Sequence, residues 1–322
     1  MIEISLPGAT QPHVRIDAGH GDAMDSIDRA EVRSLYRRYG ALLLRGFAGD
    51  LDMFVRFARE FCPVAVHNES RNRARIGERG EIQTVNLGTR PFPLHPELSR
   101  EPWKPDTCFF YCLTPPSFGG ATTICDGVAI VRDLPAALRE AMAARRIKYM
   151  MPADATLLEH WLGTSYPTDL QLADPPAACP YRFERVGAQI ARVFSRPLLH
   201  RPMFVDEVAF GNFLLFARYL GGVTTFPLLD DGSPVPDEWV EAVKRVSDAL
   251  TVAIDWQAGD LLILDNSRFM HGRTAIVEGD QRLIATYFGY LDDAPRNPEE
   301  PADPIWRRPG FAPPPTGLAA SE

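Results

Sequence analysis

Three pairs in which a histidine is followed two residues later by an acid stand out in the chain: His20/Asp22, His67/Glu69 and His95/Glu97. Two imidazoles and one carboxylate on one face of a metal ion, with the other positions open, make up a non-haem Fe(II) oxygenase site. Residues two apart on a strand point the same way, so such a pair at a strand end supplies two of the three ligands. The pair alone is a weak signal, because seven His and 42 acidic residues in 322 give about one match by chance. Context separates the three. His20/Asp22 lies in the Gly-rich stretch Ala18-Gly19-His20-Gly21-Asp22, ahead of the first helix, where nothing holds ligands rigidly. His67/Glu69 precedes the charged run Arg71-Asn72-Arg73 and reads as solvated surface. His95/Glu97 follows one strand candidate and leads through a Pro-rich link into a stronger one.

The elements that must hold such a pair are mostly strands. Apolar positions Val32, Leu35, Tyr36 and Tyr39 follow helical spacing within 26–39, and Gly40 supplies a stop. A buried strand over 41–44 and a second helix marked by Phe54, Phe57, Ala58 and Phe61 make the N-terminal part α-β-α. From residue 82 the pattern changes to short β-rich runs divided by Gly, Pro and Asp, at 82–87, 107–113, 121–125, 147–151, 190–194, 252–256, 261–264 and 283–290. Helical stretches at 134–145 and 238–250 interrupt them. Strands and helices do not alternate regularly, so the expectation is a mainly β fold with α decoration: a double-stranded β-helix (jelly roll) core flanked by helices. The domain division is 1–297 as a single jelly-roll domain with a helical insert at about 133–220, then a Pro-rich, extended or disordered tail over 298–322.

Composition narrows the function classes. A net charge of -8 and a pI near 5.5 oppose the basic footprint that nucleic acid requires. No run of eighteen apolar residues and no basic segment followed by an apolar stretch occurs, so the expectation is a soluble, unexported, cytoplasmic protein with no membrane partner. The five cysteines include no C-x-x-C pair and read as buried free thiols, with Cys108 and Cys112 on one strand face.

The sequence resembles the taurine dioxygenase-like Fe(II)/2-oxoglutarate oxygenases, in particular the clavaminate-synthase-like branch with Glu in place of Asp. The matching residues are His95-Pro96-Glu97-Leu98-Ser99, Phe109-Phe110-Tyr111-Cys112, Gly119-Gly120-Ala121-Thr122-Thr123, and the run from Gly259 to Asn266, followed by His271-Gly272-Arg273 and Arg282. Thr122 falls 27 positions after His95 and Arg282 falls 11 after His271, as in the family, whereas 27 positions after His67 is Leu94. The resemblance spans the chain from Arg45-Gly46-Phe47 to about Tyr290.

The resemblance implies that His95, Glu97 and His271 ligate Fe(II), that Arg282 pairs with the distal carboxylate of 2-oxoglutarate, and that Thr122 donates a hydroxyl to it. A guanidinium suits that role, being always charged and bidentate. The implied reaction uses O2 to hydroxylate a C–H bond of a small molecule, a free or carrier-tethered amino acid in natural-product biosynthesis, with release of succinate and CO2. Related halogenases carry a small residue at the carboxylate position, so Glu97 implies oxygenation. Other readings are a hydrolase using the same three ligands and a non-catalytic jelly roll that binds a small acid; hydrolysis has no need of a second carboxylate anchor. Oligomeric state is not legible, and a homo-oligomer is compatible with the chain. Taken singly, His271, Thr122 and Arg282 are compatible with structural roles, and so are Arg90, Arg100 and Arg273. His160, Trp161, Phe210, Gly211 and Asn212 fall where the family places its substrate-covering segment, with Trp161 read as core. Thr286 stands where the taurine enzyme has a sulfonate-gripping arginine, so taurine is not expected as a substrate.

Overall fold

The computed structural model describes residues 2–8, 10–70, 72–77, 81–277, 281–295 and 297–314. The first helix, Arg29–Tyr39, starts where the Asp28 carboxylate accepts hydrogen bonds from the Ala30 and Glu31 N–H groups, and it stops at Gly40 in the left-handed region (φ 77°). The second, Leu51–Phe61, is capped by Asp50 and turns Phe54, Phe57, Ala58 and Phe61 inward. Between them runs the strand Ala41–Arg45, whose first four residues are buried.

Among the described residues that strand belongs to a nine-stranded sheet. Its centre, in neighbour order, is Ala41–Arg45, Leu261–Asp265, Thr107–Thr114 and Leu283–Tyr290. A smaller sheet orders Val252–Ile254, Thr122–Asp126, Phe269–Arg273 and Phe92–His95. The strand period of two sends alternate side chains to opposite faces. Cys108, Phe110, Cys112, Leu262 and Leu264 thus meet Ile124, Ile254 and Phe269 of the small sheet in one core. Phe109, Tyr111, Leu261 and Ile263 meet Phe54, Phe57 and Phe61 of the second helix in another. The outer face of the small sheet, with Cys125 and Met270, packs on a third core that includes Val240 and Val243 of the helix Asp237–Leu250.

The fold is therefore mainly β with flanking helices, as expected. Within 133–220 the strands expected at 147–151 and 190–194 are Arg146–Pro152 and Gln189–Pro197, and together with Arg182–Val186, which was not expected, and Leu228–Leu229 they form a four-stranded sheet of their own. Nor is the Pro-rich stretch detached up to residue 314: Trp306 is 3% exposed, and Arg307 donates to both Asp106 oxygens at 2.8 Å. Residues 315–322 lie outside the described residues. Among those described, no helix is long and apolar enough to cross a membrane.

Two imidazoles away from the His95/Glu97 pair are buried without charge. Burial first, then Arg45 and Arg15, brings His13 down to about 4; burial, then Lys104 and Arg196, holds His200 well below its ordinary value. The unfolded chain takes up protons at these sites from about pH 6.5 downward and the folded chain does not, so each costs stability at up to about 1.4 kcal/mol per pH unit. Asp265, raised to about 6 by burial, opposes this below pH 6 with one group against two. The melting temperature should fall between pH 7 and 5, and His200→Gln should flatten the fall. A melting temperature that is level or rising over that range would contradict the assignment.

Candidate metal and cosubstrate site

His95 closes the strand Phe92–His95 and lies directly opposite His271 on Phe269–Arg273. Facing residues on paired antiparallel strands bring their side chains together, and the two rings are 4.6 Å apart between centroids. Close pairing here depends on Gly272. A Cβ at that position would stand 2.6 Å from the Phe92 carbonyl oxygen and 2.8 Å from Thr123 Oγ1. The His-Gly-Arg order thus has a steric origin.

Glu97 follows the strand end and is 2% exposed. Its backbone is fixed by Asn266, which accepts from the Glu97 N–H at 2.8 Å and donates to the Glu97 carbonyl at 3.1 Å. The next residue, Leu98, turns the chain at φ 50°, a left-handed conformation that costs a non-glycine residue about 1 kcal/mol or more. The Glu97 carboxylate is 3.6 Å from His271 Nε2. Asn68 donates to one oxygen and Arg73 to the other, at 2.9 Å.

Electrostatics fit these groups for metal. Burial, then His271, brings His95 down to about 3, so its imidazole is neutral. His95 Nδ1 is 2.8 Å from the Pro93 carbonyl, which places the ring proton there and leaves Nε2 as the donor atom, the usual arrangement behind a metal-bound imidazole. Burial pushes the Glu97 carboxyl up, but Arg73 and then His271 outweigh it and hold the group well below the usual carboxylate range. Among the described residues no three His, Cys, Asp or Glu side chains stand, as they are, in an arrangement that could hold a metal ion. The donor types and their adjacency suit one, provided Glu97 exchanges a contact with Arg73 or Asn68 for the ion.

Thr122 begins the neighbouring strand. Its hydroxyl accepts from Trp256 Nε1 at 3.0 Å and from Arg282 Nη2 at 3.1 Å. Gly120, at φ 61°, lets the Arg282 stem pass, since a Cβ there would be 3.0 Å from Arg282 Cδ. One pocket is lined by His95, His271, Thr122, Arg282, Arg73 and Phe92. All five residues carried over from the family resemblance are thus in one neighbourhood, four of them on the wall of this pocket and Glu97 beside His271.

The surroundings change several expectations. The stretch after His67 is solvated only in part: Glu69 and Asn72 are exposed, whereas His67 Nδ1 is buried and Asn68 and Arg73 reach Glu97, because a buried carboxylate needs partners. Nor does Thr286 leave its neighbourhood without a guanidinium, since Arg73 Nη1 is 3.4 Å from Thr286 Oγ1. Nothing in the sequence pattern marks Arg73 apart from its exposed neighbours. Arg273 is structural, donating to the Asn86, Gly88 and Arg90 carbonyls and lying 4.6 Å over Phe92. Arg90 and His160 are exposed, and Arg100 lies 5.0 Å over Phe213. Trp161 and Phe210 are core residues, and Asn212 caps local backbone at Leu198 and Leu214. The insert residue that does approach is Phe216, 4.7 Å from the His95 ring.

The family model of the taurine catabolism dioxygenases TauD and TfdA matches residues 5–287. The chain belongs to that family. This TauD/TfdA member is 22% identical over 306 residues to a clavaminate synthase-like protein of Arabidopsis thaliana, covering 88% of this chain and 92% of the relative. The PvcB protein of Pseudomonas aeruginosa aligns with a TM-score of 0.56 at 18% identity, over 92% of this chain and 94% of its own; PvcB is an Fe, alpha-ketoglutarate dependent oxygenase from an isonitrile synthetic pathway. A taurine dioxygenase from Burkholderia xenovorans aligns with a TM-score of 0.60 at 15% identity, over 91% of this chain and 90% of its own. The chain is a dioxygenase by family, and the cofactors expected of it, Fe(II), 2-oxoglutarate and O2, are those of that family.

Gly272→Ala should displace His271 by forcing a methyl group against the Phe92 carbonyl. The expected cost is about 1–3 kcal/mol of stability, together with weaker Mn(II) binding by the purified protein. Wild-type stability and metal affinity in this variant would contradict the steric role.

Proposed function

We propose that this protein oxidises a C–H bond of a small molecule, with His95, Glu97 and His271 holding Fe(II) and with Arg282 and Thr122 anchoring 2-oxoglutarate. The observation that carries this reading is the direct pairing of His95 with His271 across two strands, with Glu97 3.6 Å from His271 Nε2. The two facing sheets are read as the halves of a double-stranded β-helix.

Iron and 2-oxoglutarate, when bound, supply O2 activation coupled to oxidative decarboxylation, yielding succinate and CO2. The chain's part is placement and exclusion of water. Thr122 already accepts one hydrogen bond from Trp256, and its hydroxyl proton is then available to a carboxylate. Arg282 beside it contributes the charge. Phe92, Phe213 and Phe216 stack against one another next to His95 and keep that wall dry.

For the substrate we favour an amino acid, free or tethered to a carrier protein, in a natural-product pathway. The isonitrile pathway of PvcB and the clavaminate synthase-like relative support this. Thr286 carries only a hydroxyl where the taurine enzyme has its sulfonate-gripping arginine, which argues against taurine. A screen for succinate release over amino acids, carrier-tethered amino acids and taurine tests the choice; taurine-dependent succinate formation would contradict it.

Replacing His95, Glu97 or His271 with Ala should abolish metal-dependent turnover without unfolding the chain, while His67→Ala keeps it. Arg282→Ala should weaken 2-oxoglutarate binding by roughly 30-fold or more, since an unpaired carboxylate costs about 2 kcal/mol or more. An unchanged 2-oxoglutarate titration in Arg282→Ala would remove the anchor from the mechanism.

A further inference from the structure

The chain holds 31 arginines and three lysines. Two of the lysines are surface partners of acids: Lys148 with Glu184 and Lys244 with Asp248. The third, Lys104, is 8% exposed and makes no hydrogen bond or ion pair with any described residue. An ammonium on a mostly buried side chain, facing a cavity with no bonded partner, is costly, so its surroundings bear directly on what could balance it.

Lys104 lines a cavity of about 140 Å³ together with Arg196, His200, Arg201, Ser267 and Glu299. Arg196 is also buried. Its Nη1 is spent on the Ser99 carbonyl, its Nε has no hydrogen-bond partner, and Glu299 stands 3.8 Å from that nitrogen. The other charges are committed elsewhere. Arg307 is spent on Asp106 and Glu300, Arg201 faces Asp206, and Asp265 turns to the Ser267 N–H and hydroxyl. His200 gives its Nε2 to the Ser267 carbonyl. Among the described residues, Lys104 and Arg196 therefore have only Glu299 and the already hydrogen-bonded Asp265 near them, and neither carboxylate bonds Lys104.

We propose that this cavity is a binding site for one small oxyanion, a carboxylate or phosphate, gripped by Lys104 and Arg196. Room for about four or five waters, at roughly 30 Å³ each, suits a single phosphate or a short-chain acid. The local potential agrees with the charge count: burial, then Arg196, brings Lys104 down to about 7, and Lys104 and Arg196 add to burial in depressing His200. The cavity lies behind the candidate iron loop, because Asn266, next to Ser267, binds both the Pro105 carbonyl and the Glu97 backbone. It is separate from the pocket of Arg282 and does not depend on the oxygenase reading.

The test is thermal melting of the full chain with inorganic phosphate or, separately, succinate, each against chloride at equal ionic strength. A saturating anion should raise the melting temperature by roughly 3–8 °C. That rise should vanish in Lys104→Met and Arg196→Gln and persist in Arg282→Met. Lys104→Met should also melt above the wild type when no oxyanion is present, because it removes an unpaired charge. Should Lys104→Met fail to fold, Arg196→Gln reads the same site. A rise with phosphate alone, succinate alone or both keeps the site and names its ligand. No rise with either anion overturns the proposal, as does a rise that survives Lys104→Met or one that Arg282→Met abolishes.

Discussion

A carboxylate that is 2% exposed must be paired or it will not stay ionised, and Glu97 is such a group. Its partners come from three separate parts of the chain. Arg73 and Asn68 reach it from the segment after the second helix, Asn266 holds its backbone from the end of a large-sheet strand, and His271 faces it from the small sheet. The two sheets, the loop after His95 and the segment around Arg73 therefore have to be in register for one side chain to be tolerated. Any change that loosens one of these attachments is felt at the place where a metal would be held.

That constraint also bears on substrate choice. Arg73 approaches Thr286, so a guanidinium is present near the position where the taurine enzyme carries one, but it arrives from a different segment. Its charge is already balanced by Glu97. A metal ion at Glu97 would compete with Arg73 for the same carboxylate, and the guanidinium would then be freer to meet a ligand. The aromatic wall of Phe92, Phe213 and Phe216 on the other side limits water at the same place.

Much of this was legible in the residues. The strand around Phe109-Phe110-Tyr111 was legible, with Cys108 and Cys112 on one face as in the structure, and so was the stop of the first helix at Gly40. His95/Glu97 was separable from the other two pairs because only it follows a strand candidate in the sequence pattern, although short strands, Val14–Asp17 and Val64–Ala65, precede the other two in space. Arg73 and Asn68 were not legible, because a charged run looks solvated until the buried carboxylate it serves is placed in space. The fixed role of Arg273 was hidden for a similar reason, as its partners are backbone carbonyls. Nor did composition show that the Pro-rich stretch packs, since Trp306 and Arg307 act through Asp106 and core residues far away in sequence.

The most direct measurement is the visible absorption of the purified protein under anaerobic conditions, titrated with Fe(II) and then 2-oxoglutarate. A weak charge-transfer band that needs both additions, and that is lost in His271→Ala and in Glu97→Ala but kept in His67→Ala, is the predicted result. No band in the wild type, or a band that survives loss of His271 or Glu97 and disappears with His67, would contradict the assignment of His95, Glu97 and His271 as the iron site.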